Sequence, residues 1–131
     1  MRLRLAALIT LLALPAQAQE EPIQSTITAQ IEAFRAGDFE GAFTYASPVI
    51  QGIFGNPANF ETMVTKGYPM VVDPEAVEMQ ELREIAGNLW QRVRITDRAG
   101  RDWLLDYQMV EGPDGWLING VQLNRASDVG A

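Results

Sequence analysis

Apolar positions recur at helical spacing in the first half of the chain and alternate in the second, with the change near Ala76. In EEPIQSTITAQIEAFRAGD, Ile23, Ile27, Ile31 and Phe34 share one face, and Gly37 stands just past the last of them. One amphipathic helix with a glycine stop is expected there. Asp38 is placed to cap a second, shorter helix with Phe39, Ala42, Phe43 and Ala46 on one side. In FTYASPVIQGIFGNPANFETMVTKGYP, Ser47 precedes Pro48 and Asn56 precedes Pro57, so a capping residue is twice followed by a proline suited to the first helical position. Between these starts Ile50, Ile53 and Phe54 are expected to be buried. Phe60, Met63 and Val64 form the next apolar face, ended by Gly67. Tyr45 lies just before the first cap, and Tyr68 lies between the Gly67 stop and Pro69, which favours extended backbone before it.

From Ala76 the pattern has period two. Leu89, Gln91, Val93 and Ile95 alternate with Trp90, Arg92 and Arg94, and the chain turns at DRAG and returns. With Gly100 in the left-handed position of a three-residue loop, the hairpin pairs Ile95 with Trp103, Val93 with Leu105, Gln91 with Tyr107 and Leu89 with Met109. The other face then pairs Arg92 with Asp106, which reads as a solvated surface ion pair, beside Trp90, Leu104 and Val110, an apolar group suited either to a dimer interface or to cover by the C-terminal tail or a helix.

GPDG reverses the chain into WLINGVQLN. A three-residue loop puts Leu117, Asn119, Val121 and Leu123 on the core face, whereas one residue more puts Trp116 and Ile118 there. In AVEMQELREIA, Val77, Met79, Leu82 and Ile85 change face partway, so a bulge is expected. The tryptophans at 90, 103 and 116 are evenly spaced but fall on different strands, and the tail from Arg125 is small and polar. The layout is α+β: three to four N-terminal helices packed on a strongly curved antiparallel sheet of about four strands.

The leader changes the picture of where the chain works. Arg2 and Arg4 precede an uncharged apolar run from Leu5 to Leu14 and the small-residue triplet Ala16, Gln17, Ala18. This is the layout of a cleavable signal peptide over residues 1–18, leaving residues 19–131 as one domain, periplasmic or secreted, with no stable membrane anchor. The formal net charge is −7, and loss of Arg2 and Arg4 makes it more negative, which disfavours nucleic acid as a partner. With no cysteine, an exported domain must stand on its core without disulfides.

Absent residues narrow the chemistry. Without histidine or cysteine there is no Ser-His-Asp or Cys-His arrangement and no ordinary zinc site, and no phosphate-cradling or calcium-loop motif occurs. No catalytic residue, metal or cofactor is assigned. The candidate binding residues are Tyr45, Gln51, Tyr68, Gln91 and Tyr107. Gln91 and Tyr107 stand opposite each other on an otherwise apolar face, where each needs a partner: one another, a helix end, water or a ligand. Gln51 faces either the sheet or solvent on the helix opened by Ser47.

IEAFRAGDFEGAFTYASPVIQGIFG, FETMVTKGYP, QRVRITDRAG and DGWLINGVQL together resemble the exported bacterial proteins grouped as domain of unknown function family 4864, within the nuclear transport factor 2-like superfamily. The resemblance is carried by Ala46, Ser47 and Pro48, by Gly67, Tyr68 and Pro69, and by Gln91, Tyr107, Gly115 and Trp116. It implies a cone-shaped fold shared with ketosteroid isomerases, which set a carboxylate base deep in the cone with a tyrosine opposite. Tyr107 suits the latter role, but no acid falls on the core face, since Asp106 and Glu111 would need a register error to reach it. Three readings follow. The first is a non-catalytic module binding a small apolar or amphipathic ligand, or a protein partner, in the cone. The second is an isomerase or hydratase using Tyr107 with Glu81 or Asp106, and the third is a structural homodimer whose five methionines and five phenylalanines fill the core.

Overall fold

The computed structural model describes residues 16–125, so the leader up to Pro15 and the tail beyond Arg125 lie outside the described residues. Helix α1 spans Ala16–Arg35, with the expected cleavage point at Ala18 in its first turn. It starts ahead of its apolar stripe and runs through Pro22. Three short helices follow, α2 (Phe39–Phe43), α3 (Pro48–Phe54) and α4 (Pro57–Gly67), then a single 3₁₀ turn at Pro69–Val71. The strands β1 (Ala76–Ile85), β2 (Asn88–Thr96), β3 (Asp102–Gly112) and β4 (Gly115–Arg125) make an antiparallel meander in that order.

The starts of α2, α3 and α4 are capped as their sequence dictates. Asp38, Ser47 and Asn56 accept from the amides of Gly41, Ile50 and Asn59 respectively. The helices pack on one face of the sheet around Ile23, Ile27, Ile31, Val93, Ile95 and Leu105. Ile53 departs from expectation at 66% exposure: α3 is only about two turns long, and its inward side is occupied by Ile50 and Phe54.

The β2–β3 register is Ile95 with Trp103, Val93 with Leu105, Gln91 with Tyr107 and Leu89 with Met109. Gly100 takes φ +84 in the connecting loop. The expected bulge lies in β1 between Met79 and Leu82, and it lets Val77, Met79 and Leu82 all pack on the core. Ile85, beyond it, is exposed at the hairpin turn.

β4 joins β3 through a two-residue turn, Gly112 pairing with Gly115, so neither of the two longer loops forms. Trp116 and Ile118 pack toward the core, then a bulge at Asn119 restores Val121 and Leu123 to the same face. One extra residue thus combines the inward sets of both registers.

The Arg92–Asp106 pair is not a solvated one. Asp106 is 6% exposed, accepts two hydrogen bonds of 2.9 Å from Arg92 and is approached by Asn124 and Arg83. Flanking long side chains exclude water from an outer face that alternation alone marks as wet.

Between α2 and α3 the chain docks on the free edge of β4. Ala46 forms a parallel bridge with Ile118, Ser47 N donates to Ile118 O (2.8 Å) and Ile118 N donates to Tyr45 O (2.9 Å). The Ser47 hydroxyl donates to Asn119 Oδ1 (2.7 Å), whose amide nitrogen donates to Gln108 Oε1 (3.0 Å). Ser47 therefore caps α3 and holds the β4 bulge. Ser47→Ala is expected to cost about 1–2 kcal/mol in urea unfolding, whereas Val49→Ser on the exposed side of α3 should stay within about 0.5 kcal/mol.

Candidate functional site

The concave face of the sheet and the helices enclose a cavity of about 390 Å³. Phe34 of α1, Ile50 and Phe54 of α3, and Phe60 and Met63 of α4 form its helical walls; Tyr107, Ile118 and Val121 form its floor. The rings are organised around Phe60, which stacks with Phe34 (6.1 Å), tilts on Phe43 (5.2 Å) and meets Phe54 edge-on (6.1 Å). Among the described residues no charged one lines this space.

The five sequence-predicted residues separate into three places. Tyr68 and Tyr107 line the cavity. Tyr68 ends α4, and its hydroxyl donates to Val121 O (3.1 Å), tying the helix layer to β4. Tyr107 is 1% exposed and makes no hydrogen bond to another described residue. Burial, and secondarily the neighbouring Tyr68 phenol, pushes its pKa well above the ordinary phenol value.

Tyr45 and Gln51 lie instead in a separate outer cleft of about 410 Å³ with Trp116 and Asp114. Ala46 borders both spaces, so the segment docked on β4 is the partition between them. Gln51 turns inward from α3, and its amide donates to Phe43 O (3.1 Å) and Ala46 O (3.0 Å), carbonyls at the end of α2.

Gln91 lines neither space. It is 0% exposed, and its amide nitrogen donates to Gln80 O (2.8 Å) and Arg92 O (2.9 Å), fastening the β1 bulge. Its carbonyl oxygen has no partner. The pairing with Tyr107 is one of strand register, not a hydrogen bond.

A residue the sequence reading missed is Gln30, 5% exposed, which lines the cavity and donates through its amide to Ala42 O (3.2 Å). Its signal is positional: it sits seven residues after Ile23 and three after Ile27, on the buried stripe of α1.

A wider cleft of about 550 Å³ lies between the 3₁₀ turn and the β2–β3 loop, but its polar groups are engaged with each other. Asp97 accepts from the amides of Ala99 and Arg101 (2.9 Å each) and from Trp103 Nε1 (3.0 Å), while Arg98 pairs with Asp73 and Glu75 (3.1 Å each). These bonds hold carboxyls below their usual pKa: Asp73 chiefly through Arg98, Asp97 chiefly through Trp103, and Asp102 chiefly through the Thr96 hydroxyl and then Arg94.

Among the described residues no carboxylate lines the cavity: of the two acids named for the acid–base reading, Asp106 sits on the opposite face of the sheet in its ion pair, and Glu81 is exposed at the β1 bulge. Nor is the core filled by its own side chains, since the cavity remains open among the phenylalanines.

Four helices on one face of a four-stranded antiparallel sheet, with an apolar cavity between, define an α+β domain of the cystatin-like type. The chain belongs to the family described as Domain of unknown function (DUF4864), which matches residues 16–131. It is similar to a domain of unknown function with a cystatin-like fold from Nostoc punctiforme, at 21% identity and TM-score 0.55, covering 82% of this chain and 77% of that one. An NTF-2 like protein of unknown function from Burkholderia xenovorans is 17% identical with TM-score 0.48, covering 82% of this chain and 84% of that one. At these identities the likeness is one of fold. No curated protein matches the chain.

Two outcomes test these assignments. Gln91→Leu leaves the Gln80 and Arg92 carbonyls without their donor and is expected to destabilise the domain by about 1–3 kcal/mol in urea while leaving the cavity walls in place. Carboxyls depressed in the folded state stabilise it above their unfolded pKa of about 4, and that contribution is lost as pH falls through the folded values. Trp103 fluorescence should therefore report loosening of the β2–β3 loop below about pH 4, and Asp97→Asn should flatten that transition.

Proposed function

We propose that the protein is an exported, non-catalytic binding domain that takes a small apolar or amphipathic molecule into the cavity between its helices and its sheet. The observation that carries this reading is the cavity itself: about 390 Å³, walled by aromatic and aliphatic side chains, with Tyr107 at its floor, buried and making no hydrogen bond to another described residue. Its size falls within the ordinary range of small-molecule sites, and so does its composition, mostly apolar with few polar groups. Export is supported by the basic, then apolar, then small-residue order of residues 1–18. Binding without catalysis is supported by the uncharged lining, which holds no proton acceptor of suitable strength for isomerase or hydratase chemistry.

Native mass spectrometry of the protein isolated from its own cells tests the reading. A retained small organic species is expected. Met63→Trp, which places a larger ring in the cavity wall, should abolish retention while circular dichroism and unfolding remain near wild type. Retention unchanged in Met63→Trp would place the ligand elsewhere, and the outer cleft beside Tyr45 would be the next site to block.

A further inference from the structure

We infer that the cavity selects an electrically neutral molecule, about two or three fused rings in bulk, bearing one hydrogen-bond acceptor that Tyr107 reads. This rests on the binding reading above and gives it a ligand class.

Three polar side chains border the space: Gln30, Tyr68 and Tyr107. Two already donate to the protein, Gln30 with one of its two amide N–H groups to the Ala42 carbonyl and Tyr68 with its only O–H to the Val121 carbonyl. Tyr107 alone of the three makes no hydrogen bond to a described residue. A buried phenol without a partner is unfavourable, so an acceptor supplied by the occupant gains more there than at a satisfied site. Burial holds the proton on this phenol throughout the neutral range, so it acts as a donor.

Charge on the ligand is disfavoured in both senses. An anion entering the cavity meets no lysine or arginine, although arginines are plentiful on the outer face and in the loops. A cation meets no carboxylate. The phenylalanine rings that could otherwise receive a cation pack on one another, Phe60 stacked on Phe34, tilted on Phe43 and edge-on to Phe54. A charged group would therefore shed its hydration without replacement. The chain's net charge of −7 acts in the same direction against anions at the encounter stage.

The test uses one ring skeleton with interchangeable ends. Acetylnaphthalene, methyl naphthoate, naphthoate, naphthylmethylammonium and plain naphthalene are titrated into the protein at neutral pH, with heat as the affinity readout and the methyl resonance of Met63 as the locator. The ketone and ester should shift the Met63 signal, and naphthoate and the ammonium compound should bind at least about 30-fold more weakly. Tyr107→Phe should weaken the ketone by about 5–10-fold and leave naphthalene unchanged.

Equal binding of naphthoate and its methyl ester would overturn the class while leaving a cavity that binds ligands. A Tyr107→Phe variant that loses ketone and naphthalene alike would remove Tyr107 as the reader. If that variant does not fold, the ester and acid comparison in the wild-type protein decides the charge rule, and the ketone and naphthalene comparison decides the acceptor. A Met63 signal moved by none of the five compounds would defeat the binding reading itself.

Discussion

The concavity of the sheet depends on two extra residues, one in each edge strand, and on the amides that hold them. Gln91 reaches from β2 to the Gln80 carbonyl at the bulge in β1, and Asn119 at the bulge in β4 is held between Ser47 and Gln108. A bulge bends its strand and increases the local twist. Placed at both edges, the bulges curl the sheet toward the helices instead of leaving it flat. The fastening groups are uncharged and short, which suits a place where an unpaired charge would cost far more than an amide hydrogen bond returns. The cavity is the space this curvature leaves when the helical layer cannot follow it completely.

The helical layer is anchored unevenly. α1 buries Ile23, Ile27, Ile31 and Phe34, whereas α3 has no buried residue although its Ile50 and Phe54 line the cavity. What fixes α3 lies at its start, where Ser47 and Ala46 dock on β4 and Gln51 bonds the end of α2. Its far end is Gly55 in a left-handed conformation, φ +83. Few buried contacts and one firm end place α3 at the low-stability end of the fold, while the sheet and α1 form its rigid part. A wall of this kind admits an occupant at a smaller cost than opening the core would.

Much of the fold was legible because local chemistry and the core demanded the same answer. The β2–β3 register follows from one glycine and one alternating pattern, and the starts of α2, α3 and α4 each follow from a capping residue, two of them followed by proline, whereas α1 begins ahead of its apolar stripe without such a signal. β4 was legible only in halves, since a strand with one extra residue satisfies two registers in turn. The site was harder to read. Tyr68 and Tyr107 reach the cavity, but Gln51 and Gln91 satisfy backbone carbonyls instead, and a buried amide looks the same in a sequence whichever task it has. Tyr45 falls outside because Ala46 forms the partition, a role played through the backbone and invisible in an alanine.

The parity of β3 explains why this cone holds a tyrosine and no acid. Leu105, Tyr107 and Met109 face inward, which sends Asp106 to the outer face, where Arg92 neutralises it. Bringing a carboxylate inward would take a one-residue shift of β3 itself. The only shifts among the described strands are in β1 and β4, and both leave β3 in phase with β2 from Leu89 to Thr96. The Arg92–Asp106 and Arg94–Asp102 pairs thereby stand on the convex side, and the concave side keeps aromatic rings and a protonated phenol. Among the described residues the lining of the cavity thus holds phenols, an amide and apolar side chains, and the Asp106 carboxylate stands on the other side of the sheet.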